Sequence, residues 1–354
     1  MPGALSGPPS VTGNNFDLIE KVSAGYVMDT IDFRKVRFNV GVRFEGTSLD
    51  TAIFNPDTNA LSIKQNGSYV KILPSISARI SLEKNTDLRL IYGRGLSRPD
   101  PQNIAQAVSY TIGGSVNTAS LGNPNLRAET ADNFDVLLEH YLNPFGEIQV
   151  GYFYKRLADP IVEVETQVDN FQPTPAAPKG TYRVTQPINA GSAWVTGFEA
   201  AYIQHLTFLP GVFRGLGFSA NYGYTNSQAK GIPGRPDNPR LVRSAPHTWN
   251  VSPTYDRWRV SARVGLSYNA ANIFSYQGAG TGPLSDTYLY AHLQFDAQAS
   301  VRLKRGFQFV MYGLNLNNEV FGFYNGSPKY MIQREYYKPT VAAGLRWNPS
   351  FEHK

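Results

Sequence analysis

Residues 36–44 alternate without a break: Val36, Phe38, Val40, Val42 and Phe44 share one parity, and Arg37, Asn39, Gly41 and Arg43 the other. A period of two marks a β-strand with one apolar and one polar face. The pattern returns at 216–225, where Leu216, Phe218, Ala220, Tyr222 and Tyr224 oppose Gly217, Ser219, Asn221, Gly223 and Thr225, and at 260–269, where Val260, Ala262, Val264, Leu266 and Tyr268 oppose Ser261, Arg263, Gly265, Ser267 and Asn269. Its longest run is 289–302, with Leu289, Ala291, Leu293, Phe295, Ala297, Ala299 and Val301 set against His292, Gln294, Asp296, Gln298, Ser300 and Arg302. With weaker stretches included, the pattern predicts about thirteen strands, near 17–30, 34–47, 69–82, 87–97, 130–142, 146–157, 194–206, 213–228, 241–254, 258–270, 287–303, 306–317 and 333–348. No segment carries a sustained 3.6-residue apolar stripe, so helices are expected to be minor.

The predicted connections alternate in length. Short ones fall at 32–33, 83–86, 143–145, 207–212, 255–257 and 304–305; long ones fall near 48–68, 98–129, 158–193, 229–240, 271–286 and 318–332. A soluble sandwich has no reason to gather every long loop at one end. An antiparallel transmembrane β-barrel does, with short periplasmic turns and long extracellular loops, and its tilted strands need only about 9–11 residues to cross the hydrocarbon layer. Alternation also hides such a chain from a hydropathy scan, because its lipid face and its wet lumen average out. No run approaches 18 consecutive apolar residues, so no transmembrane helix is expected.

Composition narrows the chemistry. Charged residues make up only 17% of the chain, whereas Tyr (21) and Phe (20) are abundant, as the aromatic girdles of a barrel require. With no cysteine there is no disulfide, thiolate metal site or cysteine nucleophile. The net charge of +6 is scattered rather than blocked, so no nucleic-acid partner is expected. The five histidines (His140, His205, His247, His292, His353) are dispersed, with no HExxH and no i,i+4 pair. Gly278, Gly280 and Gly282 precede no helix, and no nucleophile elbow, phosphate loop or paired carboxylates stand out. The reading is therefore no metal site, no cofactor and no enzyme activity.

Several segments resemble a known family. YGRGLSRPDPQNIA (92–105) and LGNPNLRAETADNFDVLLEHYL (121–142) are similar to the Ser-Arg-Pro loop and the following Gly-Asn-Pro-x-Leu-x-x-Glu strand of TonB-dependent outer-membrane receptors. FGEIQVGYFYKRLADPI (145–161), INAGSAWVTGFEAAY (188–202) and LNLNNEVFGFYNGSPKYMIQREYYKPTVAAGLRW (314–347) resemble later strands, in the family's order. Pro99, Pro101 and Pro124 withhold ladder donors and so belong to its loops. The resemblance implies a 22-stranded barrel plugged by an N-terminal globular domain. Thirteen strands would then be the C-terminal portion, about nine short, with 1–16 a truncated extracellular loop, 17–351 barrel strands, and neither plug domain nor signal peptide.

By resemblance, the intact protein would sit in the outer membrane of a Gram-negative bacterium. It would take up a scarce, bulky ligand such as a ferric siderophore or an oligosaccharide, energised by the TonB complex acting only through the missing N-terminal region. A complete smaller diffusion porin is the alternative. Other expected partners are outer-membrane lipid and the barrel assembly machinery, for which Leu345, Trp347 and Phe351 resemble the terminal signal. Candidate ligand contacts are loop residues: Arg98, Asp100, Gln102, Asn103, Tyr110, Asn117, Asn123, Asn170, Phe171, Gln172, Lys179, Tyr182 and Arg183. Candidate lumen-facing residues are Arg37, Arg43, Glu199, Arg263, His292, Gln294, Asp296 and Arg302. Glu199 is expected to pair with an arginine on a neighbouring strand, and Glu45 and Asp296 are possible partners for the arginines.

Overall fold

A computed structural model describes residues 10–11, 16–54, 60–105, 108–113, 116–276 and 282–348. Its main element is an antiparallel sheet of thirteen strands, each paired with its neighbour in chain order. They are β1 (Phe16–Phe33), β2 (Val36–Phe54), β3 (Leu61–Glu83), β4 (Thr86–Ser97), β5 (Glu129–Leu142), β6 (Gly146–Ala158), β7 (Ser192–His205), β8 (Leu216–Lys230), β9 (His247–Arg257), β10 (Val260–Asn269), β11 (His292–Arg302), β12 (Phe307–Leu314) and β13 (Thr340–Trp347). Among the described residues the sheet does not close on itself, and β1 and β13 are its edges. The only α-helix among them is Pro101–Ala105.

Strand alternation becomes two chemically distinct faces. Residues directly opposite in neighbouring strands share a face. Leu90, Val136, Tyr152, Phe198 and Tyr224 therefore form one continuous apolar row across five strands. One step along the ladder, on the other face, runs Arg89, Leu137, Gly151, Glu199 and Gly223. The apolar face is bare: Val27, Val70 and Leu345 are each about two-thirds or more exposed. In water such a surface would drive association; in hydrocarbon it costs nothing.

Two aromatic belts bound this face. Phe33, Phe145, Phe208, Phe213, Trp258 and Trp347 project, exposed, at or beside the short turns. Towards the opposite end Tyr92, Phe134 and Tyr154 form a ring cluster, with centroids 5.0 and 6.4 Å apart. One step beyond it on the same face the Arg94–Asp132 ion pair (2.8 Å) marks the return to water.

At Gly197 an added Cβ would lie 1.9 Å from the carbonyl oxygen of Tyr224 and 2.7 Å from the Phe153 ring. Phe153 is its direct cross-strand neighbour. The ring thus lies over the glycine, an aromatic cover that locks register.

The structure shifts several predicted boundaries. The first turn lies at Arg34-Lys35 rather than 32–33, because the ladder continues through Asp32, which holds Arg37 at 2.7 Å, and Arg34 supplies the left-handed φ of 54°. The turn expected at 255–257 moves to Trp258-Arg259 for the same reason, with Trp258 at φ 53°. Most of the expected 48–68 loop is strand: β2 and β3 stay paired out to Phe54 opposite Leu61.

The strand expected at 241–254 begins only at His247, since Arg243 turns the chain with φ 56° and its amide bonds the Ile273 carbonyl. Of the two longest C-terminal predictions, 287–303 breaks after Leu289 and 333–348 breaks at Lys338 (φ 60°) and Pro339. In both cases the first piece leaves the wall for a second sheet at the rim. Of 1–16, only 10–11 and 16 are described, and Phe351 lies outside the described residues.

The two faces predict opposite responses to one substitution. Val136→Arg, central on the apolar face, should lower unfolding stability in lipid vesicles by about 2–4 kcal/mol. Gln149→Arg, on the polar face, should stay within about 0.5 kcal/mol of the parent. Urea titration followed by tryptophan fluorescence checks both.

Candidate functional site at the sheet mouth

All the long connections emerge at one end of the sheet, and they are built rather than slack. The segments 161–171 and 180–189 form a hairpin that carries β6 and β7 onward, with Ile161 opposite Asn189. Residues 117–120 add to it in parallel, followed by 109–111 and 10–11, making a five-stranded sheet. A four-stranded sheet at the other side of the mouth orders 272–275, 287–289, 320–325 and 331–336.

These sheets explain where the candidate ligand contacts lie. Tyr110 and Tyr182, 7% and 0% exposed, are core residues of the five-stranded sheet, packed with Ala119, Ala177 and Val184. Tyr182 donates its hydroxyl to the Pro178 carbonyl at 2.7 Å, and Phe171 meets its ring edge-on at 5.7 Å. Asn123 donates to the Pro187 carbonyl, Asn117 accepts from the Gly113 amide, and Asn103 accepts from the Asn123 amide through its carbonyl. Gln172 closes its own turn on the carbonyls of Pro175 and Ala177. Arg98 reaches back to Glu45, with Glu20 at 3.5 Å. Arg183 lies 3.2 Å from Glu165, whose carboxyl burial nevertheless pushes up. Asp100, Gln102, Asn170 and Lys179 remain exposed at the mouth.

The eight candidate lumen residues share one face. Arg37, Glu199 and His292 even fall on a single row, passing through Arg79, Arg89, Leu137, Gly151, Gly223, Thr248 and Asn269. This face is a ladder of ion pairs: Arg43–Glu45 along β2 at 2.8 Å, and across strands Arg79–Asp87 at 2.5 Å and Arg89–Glu139 at 2.9 Å. Arg263 donates instead to Ser252 Oγ at 2.8 Å, and Arg302 to the Trp258 carbonyl. Asp296 accepts from Gln294 at 2.9 Å and from the Asn315 amide at 2.8 Å. The expected arginine partner of Glu199 is not there. Its direct neighbours are Gly151 and Gly223, so its carboxylate has no ion pair among the described residues.

The family model for the TonB-dependent receptor-like β-barrel matches residues 2–318. The chain belongs to the TonB-dependent receptor family. No curated protein matches it, but solved receptor structures do. The siderophore receptor PiuA from Acinetobacter baumannii aligns over 93% of this chain and 43% of its own, with TM-score 0.64 and 16% identity. The ferric-catecholate import receptor Fiu from E. coli K12 aligns over 93% and 45%, with TM-score 0.65 and 14% identity. The FrpB iron transporter from Neisseria meningitidis aligns over 94% and 45%, with TM-score 0.60 and 13% identity. This chain thus spans less than half the length of these relatives, and at such identities the likeness is one of fold. TonB-dependent receptors are outer-membrane transport receptors of Gram-negative bacteria, and the wall described above is of that barrel type.

Sequence reasoning missed the most deeply buried charges at the mouth of this receptor wall. Arg235, its side chain 1% exposed, grips the fully buried Asp286 with two bonds of 2.7 and 2.9 Å and Asp237 with two of 2.9 Å. Its guanidinium lies 5.3 Å from the centroid of the Tyr276 ring, whose hydroxyl donates to the Arg240 carbonyl at 2.7 Å. Arg235 holds the Asp237 carboxyl below its ordinary range; burial pushes the Tyr276 hydroxyl up. One arginine thereby ties the β8–β9 connection to the β10–β11 connection, and the Gly326 amide on the Asp286 carbonyl brings in the β12–β13 connection. The aromatic alternation of Thr287-Tyr288-Leu289-Tyr290 and Phe321-Gly322-Phe323-Tyr324 signals strands of the rim sheet but not this pair, whose partners lie 51 positions apart.

Asp286→Ala should cost about 3–5 kcal/mol, because Arg235 stays buried without its best partner. The readout is faster chymotrypsin cleavage at the mouth while the wall stays intact. Acid should act similarly. A carboxyl held low in the folded state adds stability above its unfolded value and loses it as pH falls through the folded one. Cleavage of the β8–β9 connection by pepsin, active in acid where chymotrypsin is not, should therefore rise only as pH drops below about 4, and Asp237→Asn should abolish that rise.

Proposed function

We propose that this chain is the C-terminal portion of the barrel wall of an outer-membrane receptor, with residues 17–351 contributing barrel strands. The receptor takes up a scarce, bulky ligand, a ferric siderophore or an oligosaccharide, with energy delivered through TonB in the intact protein. One observation carries the reading: a continuous wall has a bare apolar face on one side and a charge-paired polar face on the other, with built connections gathered at one end. The polar face is then the lumen. The unpaired Glu199, the charged ladder and the exposed Asp100, Gln102, Asn170 and Lys179 are the groups available to a ligand or to a domain inside the barrel. The solved siderophore receptors of the same fold support the siderophore alternative.

The diffusion-porin alternative requires a closed barrel of these strands, which the β1 and β13 edges, unpaired among the described residues, do not favour. Cells producing the protein at its genomic length should gain TonB-dependent growth on a ferric siderophore as iron source or on an oligosaccharide as carbon source. Growth independent of TonB, together with steady ion conductance in planar bilayers, would establish the porin instead.

A further inference from the structure

Between β10, β11 and the four-stranded rim sheet lies a cavity of about 450 Å³, lined among others by Arg243, Asn272, Phe274, Tyr290, His292 and Phe321. Its size falls in the range of small-molecule sites, roughly 300–1,000 Å³. Two of its lining residues carry buried polar atoms that have no partner: Asn272 Oδ1 and His292 Nδ1.

Both atoms are acceptors, and the neighbouring bonds establish it. Asn272 spends its amide nitrogen on the Ala270 carbonyl at 3.1 Å, leaving the oxygen unused. Gln294 spends its amide nitrogen on the Asp296 carboxylate at 2.9 and 3.0 Å, so its oxygen must accept. That oxygen lies 3.4 Å from His292 Nε2, so the tautomer with its proton on Nε2 satisfies this bond and leaves Nδ1 as a bare lone pair.

The walls are aromatic faces. Tyr290 ties its hydroxyl to the Pro328 carbonyl at 2.8 Å and so offers only its ring. Phe274 and Phe321 both pack against Phe323, at 4.8 and 5.2 Å. Arg243 stands with its guanidinium 4.9 Å from the Phe274 centroid.

We propose that this cavity is a subsite for a neutral ring bearing hydroxyl groups, the chemistry of a pyranose unit in an oligosaccharide. Two unpartnered acceptors need donors, which sugar hydroxyls supply, while the ring's C–H faces pack on the electron-rich faces of Phe274, Tyr290 and Phe321. An anion would meet Arg243 favourably but would bring only further acceptors to Asn272 Oδ1 and His292 Nδ1. A ferric catecholate has lost its hydroxyl protons to solvent on binding the metal, so it offers these acceptors no hydroxyl donor. An ammonium group would donate but meets Arg243. The inference rests on the receptor reading above and selects one of its two ligand classes.

The test is calorimetric titration of the purified full-length protein in detergent with maltotriose, cellotriose, xylotriose and chitotriose. A ferric catecholate and a ferric hydroxamate complex serve as comparators. At least one trisaccharide should bind, with His292→Phe and Asn272→Ala each weakening it tenfold or more and Lys304→Ala, in the short turn before β12, leaving it unchanged. Unaltered circular dichroism and heat-modifiable migration of the variants show that the loss is local. Failure of all four sugars to bind the folded parent, or binding indifferent to both variants, overturns the proposal. If growth on a ferric siderophore still depends on TonB, the receptor reading stands without it; if no TonB-dependent growth occurs, the receptor reading falls independently.

Discussion

Inside hydrocarbon a peptide group has nothing to bond with except another peptide group. This constraint organises the whole molecule. It forces every membrane-crossing segment into a ladder with its neighbours, and the thirteen strands pair in strict chain order for that reason. Once pairing is compulsory, side chains can differ only by face. One face dissolves in lipid. The other carries charges that must be balanced locally, and the arginine rows meet that demand with Asp87, Glu139 and Glu45, each less than a tenth exposed.

Period-two patterning revealed the wall well because the wall is where the constraint is absolute. All thirteen strands were readable, as was the shared face of Arg37, Glu199, His292 and Arg302. The errors cluster where water returns. The hairpin 161–189 reads as loop although Val162, Val164 and Val168 alternate with Glu163, Glu165 and Gln167, because the whole stretch lies beyond the span a membrane crossing needs. Non-glycine residues that turn the chain with a left-handed φ, such as Arg34, Trp258 and Arg243, leave no mark in a hydropathy pattern.

The candidate contacts were half readable for a related reason. Polar and aromatic residues in a long connection suggest recognition, yet Tyr182 and Asn123 spend those groups on holding the connection in shape. The Arg235–Asp286 pair could not have been foreseen, since 51 positions separate partners joined only by the fold. Family membership and geometry agree on the wall.

Strand length varies across the wall: β1, β2 and β3 run 18, 19 and 23 residues, whereas β12 and β13 run 8 each. At roughly 3.3 Å per residue and a tilt of about 40°, the short strands rise only about 20 Å, less than an apolar band about 25 Å tall, while β3 rises more than twice that band. The rim is therefore a slope, with a parapet over β1–β3 and a low sill over β12–β13. A large solute drifting in over the sill encounters the aromatic four-stranded sheet first, and the parapet beyond it acts as a backstop.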